Sequence, residues 1–123
     1  MKIMIVEDNE ALAQTTGWVV ESFGHDYCLE YDGKGALEKA RQWRPQVVIM
    51  DIGLPGMDGY ELCERLRAEP PLANTVFIAQ SGRSDAGHRD RLAAAGFHHN
   101  LLKPAGVESL QTLLSEIETA LCA

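Results

Sequence analysis

Asp51 is a carboxylate at the point where an apolar segment gives way to a loop. Residues 46–50 are Gln-Val-Val-Ile-Met, and the loop at 52–59 contains three glycines and a proline. A segment this apolar predicts a strand of a parallel sheet that is buried on both faces. A carboxylate at its carboxyl end lies where open α/β folds bind ligands. Its chemistry is that of a nucleophile toward phosphorus or a ligand of a hard cation.

A second acidic pair, Glu7-Asp8, follows the apolar run at 3–6. If this run is the neighbouring strand, three carboxylates meet at the tips of two strands and repel one another. A divalent cation with oxygen ligands relieves that repulsion. The two motifs together therefore predict a Mg²⁺ site.

The elements that must position these groups follow from apolar periodicity, caps and stops, which predict strands alternating with helices. The predicted strands cover 2–6, 26–31, 46–50, 75–79 and 100–102. The predicted helices cover 10–23, 35–44, 59–68, 85–95 and 107–121. This alternation predicts an α/β fold with right-handed crossovers, a parallel five-stranded sheet and helices on both faces.

In this fold all the strand-to-helix loops converge on one edge of the sheet. Five reactive side chains are expected there: Glu7, Asp8, Asp51, Ser81 and Lys103. Together they suit formation of an aspartyl phosphate. Asp51 would be the nucleophile, Lys103 would pair with the phosphoryl group, and Ser81 would donate a hydrogen bond to it.

The bulk composition is that of one globular domain spanning residues 1–123. No apolar run approaches the roughly 20 residues that a membrane span needs. Three cysteines without CxxC spacing favour free thiols and a cytoplasmic location. A net charge of −7 argues against direct nucleic-acid binding.

Four strings in order resemble the response-regulator receiver domain of two-component signalling: IMIVEDNE at 3–10, VVIMDIGLPGMDGYEL at 47–62, IAQSG at 78–82 and GFHHNLLKP at 96–104. The likeness covers essentially the whole chain, as in chemotaxis-type single-domain and hybrid-kinase-type receivers. It implies a flavodoxin-like (βα)5 three-layer sandwich with strand order 2-1-3-4-5. It also implies phosphorylation of Asp51 by a histidine kinase or a histidine phosphotransfer protein, with Mg²⁺ as cofactor.

The resemblance also assigns roles to individual residues. It implies that the metal is held by Glu7, Asp8, Asp51 and the backbone carbonyl of Gly53. The conformational switch falls on Ser81 and on position 100, where receivers usually carry an aromatic residue and this chain has Asn100. Two positions that influence phosphoryl lifetime are Gly53 and Arg83.

The output is expected to be a contact with a downstream protein partner, which binds the surface of the fourth helix, fifth strand and fifth helix. Phosphorylation-dependent homodimerisation would be one contact of this kind. A self-phosphorylating acceptor with slow autodephosphorylation is expected, and not a turnover enzyme. Two alternatives remain open. One is a phosphatase-type enzyme with an aspartyl-phosphate intermediate, which usually needs a general acid where Gly53 stands. The other is a degenerate receiver that acts only as a binding module.

Several side chains are interpreted as structural. Leu12 is expected on the inward face of the first helix, and Trp18 and Trp43 are expected to pack between helices and sheet. His98 and His99 are interpreted as surface residues, and Asp58 as part of a turn.

Overall fold

A computed structural model describes residues 1–82, 85–103 and 106–122. Five strands alternate with five helices, and a short 3₁₀ turn covers Pro70–Leu72. The strands are β1 (Lys2–Val6), β2 (Asp26–Glu30), β3 (Val47–Asp51), β4 (Val76–Ser81) and β5 (His99–Leu102). The helices are α1 (Glu10–Ser22), α2 (Gly33–Trp43), α3 (Gly59–Arg67), α4 (Ala86–Ala95) and α5 (Val107–Cys122).

The strands form one parallel sheet in the order β2-β1-β3-β4-β5. Its register pairs Ile5 with Ile49, and Asp51 with Gln80, so the carboxyl ends of the central strands lie side by side. The sequence-based prediction of a three-layer flavodoxin-like fold is confirmed, including the strand order.

Alternate residues of each strand supply two separate apolar cores, because side chains in a strand point to opposite faces. Met4, Val48 and Phe77 belong to the core beneath α2, α3 and α4. Ile3, Ile49 and Ile78 belong to the core that α1 and α5 cover. Such two-sided burial explains why β1 and β3 are apolar at successive positions.

Helix α1 departs from the sequence prediction at two of its large side chains. Its buried residues are Ala13, Gly17 and Val20, while Leu12 is 42% exposed and Trp18 is 61% exposed. The prediction that Leu12 and Trp18 pack inward is therefore wrong. The Tyr27 ring of β2 packs directly against the Cα of Gly17 and leaves no room for a larger side chain there. The face of α1 that contacts β2 therefore carries small residues. Trp43, in contrast, packs against the core as predicted.

Side-chain caps decide where the helices begin. Asn9 accepts a hydrogen bond from the backbone N–H of Leu12, and Asp85 accepts one from that of His88. Asp32 caps α2 in the same way, so this helix begins two residues before the predicted start at Gly35. No helix in the described part of the chain is both long and apolar enough to cross a bilayer.

Candidate functional site

The carboxyl edge of the sheet brings together the five side chains that the sequence places there. Glu7 and Asp8 follow β1, Asp51 ends β3, Ser81 ends β4 and Lys103 follows β5. The backbone continues this ladder past the last strand, since the N–H of Lys103 donates to the carbonyl of Ser81 at 2.8 Å. Residues separated by as many as 96 positions in the chain thus share one edge.

Three carboxylates form an acidic cluster at this edge. Glu7, Asp8 and Asp51 each present an oxygen, and these oxygens lie within 4.8 Å of one another. Glu7 is buried at 3% exposure, whereas Asp8 is exposed. Burial raises the pKa of the Glu7 carboxyl above its ordinary value, and the neighbouring acids Asp8 and Asp51 add to the rise. The Glu7 carboxylate is therefore harder to ionise than a carboxylate in water.

Lys103 is the counter-ion of this cluster. Its Nζ lies 3.0 Å from Glu7 Oε1 and 3.1 Å from Asp51 Oδ2, so one ammonium group bridges two acids. Burial alone would lower the pKa of Lys103, but the hydrogen bonds to Glu7 and Asp51 outweigh it and raise the pKa. The lysine is therefore a persistent cation beside the candidate nucleophile.

The loop after β3 holds Asp51 from the other side. The backbone N–H of Gly53 donates to Asp51 Oδ1 at 3.3 Å. Asp58 caps α3, and the N–H of Gly59 donates to the carbonyl of Ile52 at 2.9 Å. A Cβ on Gly59 would lie 2.9 Å from the Asp51 carbonyl oxygen, so only glycine lets α3 begin this close to the strand. Asp58 is structural, as predicted, but it is the N-cap of α3 and not part of a turn.

Two glycines lie in the loops at this edge of the sheet. A Cβ built on Gly53 or Gly82 would meet no heavy atom within 4 Å. Gly53 follows β3 by two residues and Gly82 directly follows β4. The chain is therefore not packed against other groups at these two positions.

The Ser81 hydroxyl lies on the α4 side of the sheet. It donates to Asn100 Oδ1 at 3.2 Å and lies 2.8 Å from His88 Nε2. Asn100 thus makes a polar contact with the candidate switch serine, at the position where an aromatic residue is usual. His88, in turn, lies with its Nδ1 2.6 Å from the Tyr60 hydroxyl.

Sequence reasoning missed His88 and Tyr60. His88 is 2% exposed and lies one turn before Leu92 and two turns before Ala95, which are the other buried residues of α4. The spacing of His88, Leu92 and Ala95 is the signal that could have found it, because i, i+4 and i+7 share one helical face. His98 and His99 are exposed, as predicted.

Arg83 lies outside the described residues. The role of the Gly53 carbonyl as a metal ligand stays a prediction.

The parallel five-stranded fold and the acidic cluster with Lys103 at its carboxyl edge are typical of a receiver domain. Comparison with known families gives the same class. The family model for the response regulator receiver domain matches residues 3–115. The chain belongs to this family. Receiver domains are phosphoacceptors that bind Mg²⁺ at an acidic pocket and interact with histidine kinases and downstream effectors.

The chain is similar to part of a histidine kinase and to most of a response regulator. The chain is 34% identical over 114 residues to the histidine-protein kinase BarA of Escherichia coli K12, covering 93% of this chain and 12% of BarA. It is 31% identical over 105 residues to the polar-differentiation response regulator DivK of Brucella anthropi, covering 85% of each. The chain thus spans about an eighth of the kinase and most of DivK.

A solved structure of similar shape is the receiver domain of sensor histidine kinase PA1611 from Pseudomonas aeruginosa PAO1. It superposes with a TM-score of 0.85 at 30% identity, covering 94% of both chains. That structure has a magnesium ion coordinated in its active-site cleft.

Proposed function

We propose that the chain accepts a phosphoryl group on Asp51 from a histidine kinase or a histidine phosphotransfer protein. The observation that carries the proposal is the bridge of Lys103 between Asp51 and Glu7, at distances of 3.1 and 3.0 Å. It fixes a cation beside the carboxylate of Asp51. A cation in this position stabilises the negative charge of a phosphoryl group that is transferred to the carboxylate.

In the reaction, a carboxylate oxygen of Asp51 forms a bond to phosphorus while the phosphorus–nitrogen bond of the donor phosphohistidine breaks. The leaving imidazole takes up a proton. Lys103 pairs with the transferred oxygens, and the Ser81 hydroxyl donates to one of them. The buried side of the cluster around Glu7 keeps water from part of the site.

The donor set fits Mg²⁺. Glu7, Asp8 and Asp51 offer hard oxygen ligands within 4.8 Å of one another, with the Gly53 carbonyl as a fourth candidate. If all three acids are ionised, three negative charges and the one positive charge of Lys103 leave a net charge of −2, which a divalent cation balances. When bound, the ion supplies neutralisation of the phosphoryl oxygens.

The acceptor role is separate from turnover catalysis. Residue 53 is a glycine, and its backbone N–H already donates to Asp51 Oδ1. A glycine has no side chain that could act as a general acid two residues after the nucleophile. Slow loss of the phosphoryl group to water is therefore expected, with Gly53 and Arg83 as the positions that influence its lifetime.

Residues 1–123 function as one receiver domain in this proposal, and its output is a protein contact. The face made by α4, β5 and α5 carries exposed apolar side chains, with Leu102 at 48% and Val107 at 55% exposure. Either a downstream protein or a second copy of the chain would bind there after phosphorylation. Sedimentation with and without beryllofluoride and Mg²⁺ separates the two, because only the homodimer changes mass without an added partner.

The test is labelling with acetyl phosphate and Mg²⁺, followed by intact mass measurement and hydroxylamine treatment. Wild type should gain one hydroxylamine-labile phosphoryl group, and Asp51→Asn should gain none. Asp58→Asn is the matched control, since it changes an acid in the same loop to another good helix cap and should label like wild type. Labelling of Asp51→Asn, or none of wild type, would overturn the proposal. Repeated turnover of phosphate esters would favour a phosphatase instead.

A further inference from the structure

The hydrogen-bonded chain from Tyr60 through His88 and Ser81 to Asn100 links four elements behind the phosphoacceptor site. Tyr60 lies in α3, His88 in α4, Ser81 at the end of β4 and Asn100 in β5. The links measure 2.6, 2.8 and 3.2 Å in that order. His88 is at the middle of the chain and has no role in the phosphotransfer chemistry described above.

We assign the proton of the His88 ring to Nε2. In that tautomer Nε2 donates to Ser81 Oγ, and the Ser81 hydroxyl donates to Asn100 Oδ1. Nδ1 is then an acceptor and receives the Tyr60 hydroxyl proton. The ¹⁵N measurement described below tests this assignment.

The Ser81 hydroxyl lies on one face of the sheet, while its backbone lies close to Asp51. Its side chain shares the sheet face with Phe77 and Ala79, which is the face that α4 covers. Its backbone, however, is one residue beyond Gln80, the Cα partner of Asp51. Strand spacing and rise put the Ser81 and Asp51 Cα atoms about 6 Å apart. The hydroxyl can turn to a phosphoryl group on Asp51 only by changing rotamer.

We propose that His88 is a positioning residue for the phosphotransfer reaction, holding the Ser81 hydroxyl on the α4 side until a phosphoryl group on Asp51 displaces it. This inference rests on the proposed function of Asp51. Turning Ser81 toward Asp51 breaks the bond to His88 Nε2 and leaves a donor that is buried on a side chain of 2% exposure. A buried unpaired donor is costly, so α4 must shift to give it a new partner.

The same link extends to the protein surface. The Arg91 guanidinium lies 4.0 Å above the centre of the Tyr60 ring and 3.9 Å from Asp58 Oδ2. The rings of Tyr60 and His88 meet edge to face, with centroids 6.0 Å apart. A displacement of His88 is thus transmitted to an exposed cation on α4 and to the start of α3. Position 100 is an asparagine in this chain and supplies no aromatic ring. His88 on α4 instead couples Ser81 to the surface.

The first test uses beryllofluoride with Mg²⁺ as the phosphoryl mimic. His88→Phe keeps a ring of similar shape but donates no hydrogen bond to Ser81. It should bind the mimic about 2- to 12-fold more tightly than wild type, the factor that corresponds to one lost neutral hydrogen bond. His88→Gln carries a terminal donor and should restore binding to near the wild-type affinity. Tyr60→Phe leaves the bond from His88 to Ser81 in place and should change affinity less than His88→Phe.

The second test does not depend on any substitution folding. Imidazole ¹⁵N resonances of wild type should show His88 with Nε2 protonated and Nδ1 as an acceptor. On phosphorylation with acetyl phosphate the Nε2 resonance should move, because the bond to Ser81 is lost. A role limited to packing would leave this resonance in place.

The outcomes separate the two proposals. Labelled wild type with an unchanged His88 Nε2 resonance overturns the positioning role alone. Equal affinity of folded His88→Phe and wild type for beryllofluoride overturns it too. Wild type that takes no phosphoryl group at all overturns the function of Asp51, and the inference with it.

Discussion

The charge bridge at the site gives a sharp prediction about stability. In a Coulomb estimate with an effective dielectric constant of about 20, charges 3.0 Å apart attract by roughly 5 kcal/mol. Desolvation of Glu7 opposes this, since the carboxylate side chain is 4% exposed and burial raises its pKa. We expect the net coupling of Lys103 with Glu7 to be about 1.5–3 kcal/mol, the range for hydrogen bonds to charged groups.

A double-mutant cycle measures this coupling directly. The proteins are wild type, Glu7→Gln, Lys103→Met and the double mutant, unfolded with urea in EDTA at neutral pH. Lys103→Met alone leaves a buried carboxylate without its counter-ion, so Glu7→Gln should be more favourable in that background than in wild type. The difference is the coupling energy.

A second ion pair provides the matched control. Arg65 and Glu61 lie 3.1 Å apart, almost the same distance, but their side chains are 55% and 49% exposed. The same cycle with Glu61→Gln and Arg65→Met should give about 0.3–0.5 kcal/mol. A coupling of Lys103 with Glu7 no larger than this control would refute the argument that burial makes the bridge strong.

Four further predictions concern the rest of the fold. Gly17→Ala should destabilise the protein by about 1–3 kcal/mol, because its Cβ meets the Tyr27 ring. Gly87→Ala should stabilise it by about 0.4–1 kcal/mol, because its Cβ would make only an ordinary van der Waals contact, 3.5 Å from Asp85 Oδ2. Both changes are measured by urea unfolding. Burial raises the pKa of the Cys63 thiol to about 12, so peptide mapping should find it unalkylated until urea is added. Partial desolvation lowers the pKa of His98, and its neutral Nδ1 accepts a backbone N–H. The stability that this bond contributes is present above the unfolded value of 6.5 and is lost as pH falls through the lowered pKa of the folded state; His98→Phe should lack that loss.

The edge of the sheet could be predicted from the sequence because its residues follow strongly patterned strands. β1 and β3 are apolar at successive positions, which marks them as central, and each acid comes directly after such a run. Once the strands are parallel, their carboxyl ends must meet. The positions of Glu7, Asp51 and Lys103 then follow from topology, without knowledge of any contact.

Two features depended on packing that no local pattern reveals. Trp18 is exposed because Tyr27 fills the space that α1 leaves next to Gly17, and this is a contact between two distant elements. His88 is buried because Tyr60 and Ser81 offer it partners on both ring nitrogens. Histidine is found on surfaces and in interiors, so its position depends on neighbours that only the fold supplies.

The division of the interior by the sheet has an evolutionary consequence. The residues beneath α1 and α5 and those beneath α2, α3 and α4 form separate apolar clusters. Substitutions on opposite sides share no packing partners, so their effects on stability should add. Duplicated copies of such a domain can therefore change their binding specificity on the α1 side without disturbing the packing of α4. One side of the sheet can then diversify while selection preserves the other.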